Sequence, residues 1–214
     1  AGAGGFRRDG HARDPVERLL NLRRLYAEGR RIRLMRPDDL ADDDAVAVVS
    51  NQGAPLVGQE RLTDPKTMAL AVTMMEEYLG RKFRALMSLE IGGGNSIQPF
   101  MGAAMLDLPV IDGDCMGRAF PEAQMTSFAI HDLKMYPLTL ADVRDNAVVV
   151  ARAASWKWME RISRKACVEV GSIASSPHVS TWAIGTRASH STRCSAAPAC
   201  VRSPRSASRR ARFT

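Results

Sequence analysis

Residues 45–91, AVAVVSNQGAPLVGQERLTDPKTMALAVTMMEEYLGRKFRALMSLEI, decide the fold. Ala45 to Ser50 is almost continuously apolar, as expected of a short parallel strand covered on both faces. Asp64-Pro65 then opens a helix, with Asp64 placed to cap it and Pro65 at the first helical position. Met68, Ala71, Val72, Met75 and Leu79 recur at helical spacing, and Gly80 supplies the stop. The methionines on that face read as core filler rather than ligands. A second apolar run, Ala85 to Ile91, completes a strand, helix, strand unit.

The same pattern extends outward. Asp14-Pro15-Val16-Glu17 is a capping box before a helix whose apolar face is Val16, Leu19, Leu20 and Tyr26, closed by Gly29. Further strands are expected at Ile32 to Met35, Pro109 to Asp112, Thr126 to Ile130 and Ala147 to Ala151, with a last one at Cys167 to Val170. Helices are expected at Ser96 to Leu106 and Ser155 to Lys165. The alternation predicts an α/β layered domain with a mostly parallel sheet.

The 214 residues, 45% hydrophobic, suffice for one sizeable core. The longest apolar stretches are strand-sized, which excludes a membrane-spanning helix of about 20 residues. Cys115, Cys167, Cys194 and Cys200 form no CxxC pair, pointing to a reducing, cytoplasmic setting. The chain opens on Ala1 in a glycine-rich run, as expected of one that begins partway through a longer protein.

A net charge of +7 would suggest an anionic partner, but its placement alters the inference. Residues 175–214 hold seven arginines and no acid, leaving 30 − 7 = 23 basic against 23 acidic residues in residues 1–174. Ser, Ala and Arg make up 23 of those last 40 residues, so the division expected is a packed body, 1–174, and a disordered basic tail, 175–214. The tail reads either as a nucleic-acid arm or as a solvated, non-native end. The absence of interleaved aromatics favours the second, and nucleic acid is not expected as a partner.

In open parallel sheets ligands gather beyond the carboxyl ends of the strands. Three loops belong there: Asn51-Gln52-Gly53-Ala54-Pro55; Glu90-Ile91-Gly92-Gly93-Gly94-Asn95; and Asp112-Gly113-Asp114-Cys115-Met116-Gly117-Arg118, with Glu122 following. The glycines of the second allow close backbone approach, but neither a P-loop ending nor GxGxxG occurs. In the third, Asp112 and Asp114, if extended, project to one side and can share a proton or a divalent cation, while Arg118 can orient an anion or carbonyl. The bland alternative has Asp112 capping a turn, Asp114 paired with Arg118 and Glu122 solvated. Cys115 reads as buried, and His131 as a surface residue.

Gly2-Ala3-Gly4-Gly5, Gly53-Ala54-Pro55, Glu90-Ile91-Gly92-Gly93 with Asn95, Asp112-Gly113-Asp114 and Met116-Gly117-Arg118-Ala119-Phe120-Pro121-Glu122 with Gln124-Met125 run in order through residues 1 to about 174. In this they resemble the N-terminal domain of the S-methyl-thiohydantoin desulfurase-like family. The resemblance implies an α/β domain followed by a smaller one, association with hydantoinase or oxoprolinase-type enzymes, and hydrolytic removal of methylthio from a small cyclic amide. For that chemistry the expected roles are Asp112 or Asp114 as base or metal ligand and Arg118 and Asn95 as ring binders. The Gly92 to Gly94 backbone would donate hydrogen bonds, Glu90 and Glu122 stand as further acids, and Gly53 completes the pocket. The alternative is a non-catalytic binding or scaffold domain. Beyond Gly171-Ser172 the family pattern continues into a second domain, whereas here Ser175-Ser176-Pro177 and the arginine-rich tail follow.

Overall fold

A computed structural model describes residues 15–180, apart from 42, 55–56, 58–63, 92, 118–119, 131–132, 135 and 172. The helix within the deciding stretch forms as its sequence dictates. Helix α1 is Pro15–Ala27, and α2 is Pro65–Leu79. At the start of α2 the Asp64 carboxylate accepts from the Lys66 backbone N–H, and Gly80 ends the helix at φ 62°. Helix α3, Gln98–Leu106, follows a 3-10 turn at Gly93–Ile97, so the regular helix starts two residues later than expected. Helix α4 is the single turn Ser127–Ile130, and α5 is Trp156–Glu169, capped by the Ser155 hydroxyl.

Among the described residues seven strands form one sheet: β1 Leu34–Met35, β2 Val46–Gly53, β3 Ala85–Ser88, β4 Val110–Ile111, β5 Leu138–Ala141, β6 Ala147–Val150 and β7 Ile173–Ser180. Their order is β1-β4-β3-β2-β7-β5-β6. β1, β4, β3 and β2 make a parallel half, in which Val46 pairs with Ala85 and Leu34 with Val110. β7, β5 and β6 extend it in antiparallel fashion. The α/β layered domain is therefore as expected, with its parallel character concentrated in four strands.

β2 is covered on both faces. Ala45, Ala47 and Val49 pack with Met68, Val72 and Met75 of α2 and Ala103 of α3. Val46 and Val48 pack on the other side with Ala85, Met87, Ile111 and Cys115. Gly102 lets α3 sit close, since a Cβ there would stand 2.8 Å from the Met68 side chain and 3.1 Å from that of Leu86. A separate cluster of Leu138, Leu140, Met159 and Cys167 joins α5 to the antiparallel half. Among the described residues no helix is long and apolar enough to cross a membrane.

Four expectations are corrected. Thr126 to Ile130 is not a strand: Ala129 and Ile130 donate back to the Thr126 carbonyl, and Ser127 is tied to the Cys115 carbonyl, so a local turn satisfies these groups instead of a ladder. Cys167 to Val170 is not a strand either, because α5 runs through Glu169 with Cys167 on its buried side. The boundary at 174/175 falls inside β7, whose residues 173–180 lie between β2 and β5. Residues 181–214 lie outside the described residues. Finally, α1 turns Arg18 and Leu25 inward and leaves Leu19, Leu20 and Tyr26 exposed, with Asp14 and the side chains of Val16 and Glu17 outside the described set.

Candidate functional site

β3 and β4 run parallel and adjacent, so the loops that leave them emerge at one edge of the sheet. Backbone bonds stitch them together: the Cys115 N–H donates to Leu89 O at 3.0 Å, and the Asp112 N–H to Met35 O at 3.0 Å beyond β1. The Ser88 hydroxyl donates to Glu90 O at 2.7 Å, turning the chain sharply as β3 ends.

Asp114 is the staple between the loops. Its Oδ2 accepts the N–H of Ile91 at 2.9 Å and of Gly117 at 2.7 Å. The residue is 0% exposed, and its Oδ1 has no hydrogen-bond partner among the described residues. Burial raises its pKa above the ordinary 3.8 and outweighs the backbone N–H groups of Ile91, Gly117 and Met116, which pull the other way. A carboxyl with a raised folded-state pKa stabilises the fold below the unfolded value, and that contribution is lost as pH rises through the folded value. Asp114→Asn keeps an oxygen for both N–H groups and abolishes the ionisation. Urea unfolding across a pH series should show the variant gaining on the wild type as pH rises above about 4. Parallel curves would mean that Asp114 does not titrate in the fold.

Glu90 is buried, and its carboxylate accepts from the Asn95 side-chain amide. Asn95 Oδ1 in turn accepts from Arg18 Nη1 at 3.3 Å. Arg18, on α1, is only 1% exposed and lies over Gly94, where a Cβ would come within 2.9 Å of Nη1. A side chain at position 94 would therefore push the guanidinium aside from its present place. The result is a buried relay of guanidinium, amide and carboxylate, beside a carboxyl held by backbone N–H groups.

Three residues singled out from the sequence, Glu90, Asn95 and Asp114, meet in this cluster. Asp112 stands next to it, half-buried, and its carboxylate accepts no hydrogen bond among the described residues. Gly93 begins the 3-10 turn, while Gly92, Arg118 and His131 lie outside the described residues. Gly53 ends β2 at φ 129° and pairs with Ile173, on the flank bordering β7. Glu122 is not brought in: it is exposed, and its carboxylate accepts from Gln124 two residues on. The Cys115 thiol is sealed, its pKa pushed well up by burial and then by the Asp114 charge, which suits packing and not nucleophilic attack.

Asp114 presents its engaged oxygen to N–H donors, and among the described residues no three His, Cys, Asp or Glu side chains converge. Arg18 and Ser88 are the participants that sequence reasoning missed. The one signal for Arg18 is its position seven residues before buried Leu25, on the same helical stripe.

Fold and loops together define a layered α/β domain that gathers acidic and amide groups beyond the carboxyl ends of its parallel strands. The chain belongs to the S-Me-THD-like family, whose N-terminal-domain profile matches residues 9–152. A crystal structure of a protein from Chromobacterium violaceum is similar in fold, with a TM-score of 0.64 and 21% identity. The match covers 77% of this chain and 48% of that one, so the chain spans about half the length of that protein. No curated protein matches.

Proposed function

We propose that this domain supplies the acid–base edge of a hydrolase site for a small cyclic amide, the specific reaction being removal of methylthio from an S-methyl-thiohydantoin. The observation that carries the reading is the meeting of Glu90, Asn95 and Asp114 over the ends of β3 and β4, with Asp112 accessible beside them. Water adds to the ring carbon bearing sulfur while a carboxylate takes its proton. The C=N electron pair moves to the ring nitrogen, which takes up the proton of the new hydroxyl as that oxygen becomes the carbonyl; the carbon–sulfur bond breaks, the carboxyl returns its proton to the departing methanethiolate, and the products are a hydantoin and methanethiol. Asp112 is the base, being the carboxylate with access; Asp114 holds the loops; recognition of the ring's carbonyl and nitrogen groups is assigned to Asn95 and to Arg118, which follows Gly117 in the sequence. Membership of the S-Me-THD-like family supports the substrate class. A hydantoinase or oxoprolinase-type enzyme in the cytoplasm is the partner this reaction implies, since it would consume the hydantoin.

A binding domain without turnover is the second reading, favoured by the complete burial of Asp114. Incubation with an S-methyl-thiohydantoin, following methanethiol by thiol detection and binding by calorimetry, separates the two. Release of methanethiol supports the hydrolase; heat of binding without release supports the second reading; neither signal defeats both.

A further inference from the structure

We propose that a cleft at the start of α5 binds a small anion with a flat apolar body, such as an aromatic carboxylate. The cleft, about 250 Å³, opens between the segment preceding β5 and the segment joining β6 to α5, and is lined by Leu133, Lys134, Tyr136, Arg152, Trp156 and Met159. Sites for drug-sized ligands run to about 300–1,000 Å³, so this one suits a single-ring compound. Its floor is apolar, with Met159 fully buried, and two half-buried aromatic rings, Tyr136 and Trp156, contribute to its lining.

Charge selects the ligand class. Lys134 and Arg152 are both exposed, and among the described residues neither belongs to an ion pair and no acidic side chain lines the cleft. Lys134 Nζ stands 5.9 Å from the Tyr136 ring centre, so the ring and the cation border the same space. The positive end of fourteen-residue α5 adds to a field that the two cations already set. A flat ring against aromatic walls, with a carboxylate between lysine and arginine, satisfies all of these groups at once.

The cleft is separate from the carboxyl cluster. Leu138, at the start of β5, pairs with His178, which pairs with Val48, whereas Ala141 pairs with Ser175, which pairs with Asn51. β5 therefore begins toward the end of the sheet where β2 begins, and Glu90 and Asp114 sit beyond the opposite ends of the parallel strands. The proposal does not rest on the hydrolase reading.

Benzoate and its neutral counterpart benzamide, titrated into the whole chain and followed by ligand-observed NMR, provide the test. Benzoate should bind at least tenfold more tightly than benzamide. Lys134→Gln and Arg152→Gln should each weaken benzoate about tenfold without changing the thermal midpoint, and Asp112→Asn should leave it unaltered. The proposal is overturned if benzoate does not bind, if benzamide equals it, or if neither substitution weakens it. Loss of benzoate binding in Asp112→Asn would place the ligand at the other edge and overturn it as well.

Discussion

Asp142→Ala is expected to lower the unfolding free energy by about 3–5 kcal/mol, the largest loss from any single side chain in the turn between β5 and β6. Its side chain is 0% exposed and organises the whole turn. Oδ1 accepts the backbone N–H groups of Arg144 and Asn146, each at 2.9 Å; Oδ2 accepts Arg144 Nε and Asn146 Nδ2, each at 3.0 Å. Asp145 takes the left-handed conformation at φ 63° within that frame. Arg144 then donates to Val170 O at 2.7 Å, tying the turn to the end of α5. Alanine leaves four donors unanswered at about 1 kcal/mol each, before any loosening of the Leu138, Leu140 and Met159 cluster is counted.

Acidity provides a second signature of the same residue. Burial alone would raise the Asp142 pKa, but the side-chain and backbone donors of Asn146 and Arg144 together hold it below the ordinary 3.8. A lowered folded-state value contributes stability that is present above the unfolded pKa and lost as pH falls through the folded one. Wild-type protein should therefore weaken on acidification below about pH 4, and Asp142→Ala should show less of that acid loss. Urea midpoints read by circular dichroism at pH 7 and pH 3 measure both effects. A cost under about 1 kcal/mol at pH 7 would mean that water replaces the carboxylate and that the turn is not built around it.

The elements legible in the sequence are those whose signals are local. α2 carries its cap, its first-turn proline, its periodic face and its glycine stop within seventeen consecutive positions, Asp64 to Gly80, and the fold reproduces each. β2 and β3 are legible because burial on both faces demands apolar residues at every position. β7 was not legible: Ile173–Ser180 is mostly polar and contains Pro177, and what makes it a strand is a place between β2 and β5, neighbours far away in the chain. β5 is only four residues long, and its partners likewise come from β6 and β7. α1 misleads for a different reason. Its inward stripe holds a buried arginine beside Leu25, so a search for an apolar face settles on Leu19, Leu20 and Tyr26, which face solvent.

The site was legible to the extent that it is topological. Strands that run parallel must release their loops at a common edge, so Glu90, Asn95 and Asp114 could be grouped from their positions after two strands. What spacing could not reveal is the division of labour between the two aspartates. Two residues apart, they were expected to project together, yet one is sealed beneath two backbone N–H groups and the other is half-exposed. That difference arises from Ile91 and Gly117 converging on Oδ2 of Asp114, a contact between loops 23 residues apart on one side and three on the other. The same holds for Arg18, which reaches Asn95 across 77 positions.

That division of labour yields the prediction with the greatest expected effect on activity. In a preparation that releases methanethiol, Asp112→Asn should reduce kcat by about 10²–10⁴-fold, the usual contribution of a general base, and leave KM nearly unchanged. Asparagine preserves shape, and Asp112 accepts no side-chain hydrogen bond among the described residues, so the thermal midpoint should not move. Its backbone N–H stays bonded to Met35 O, which keeps the loop on the end of β1. Glu90 cannot substitute readily, because Asn95 already occupies its carboxylate and little of the residue reaches solvent. Asp114→Asn keeps the oxygen that joins the two loops and should retain most of the turnover. Near-normal rates in Asp112→Asn, with collapse in Asp114→Asn at unchanged stability, would transfer the base to the buried carboxyl and require the loops to open around it during each turnover.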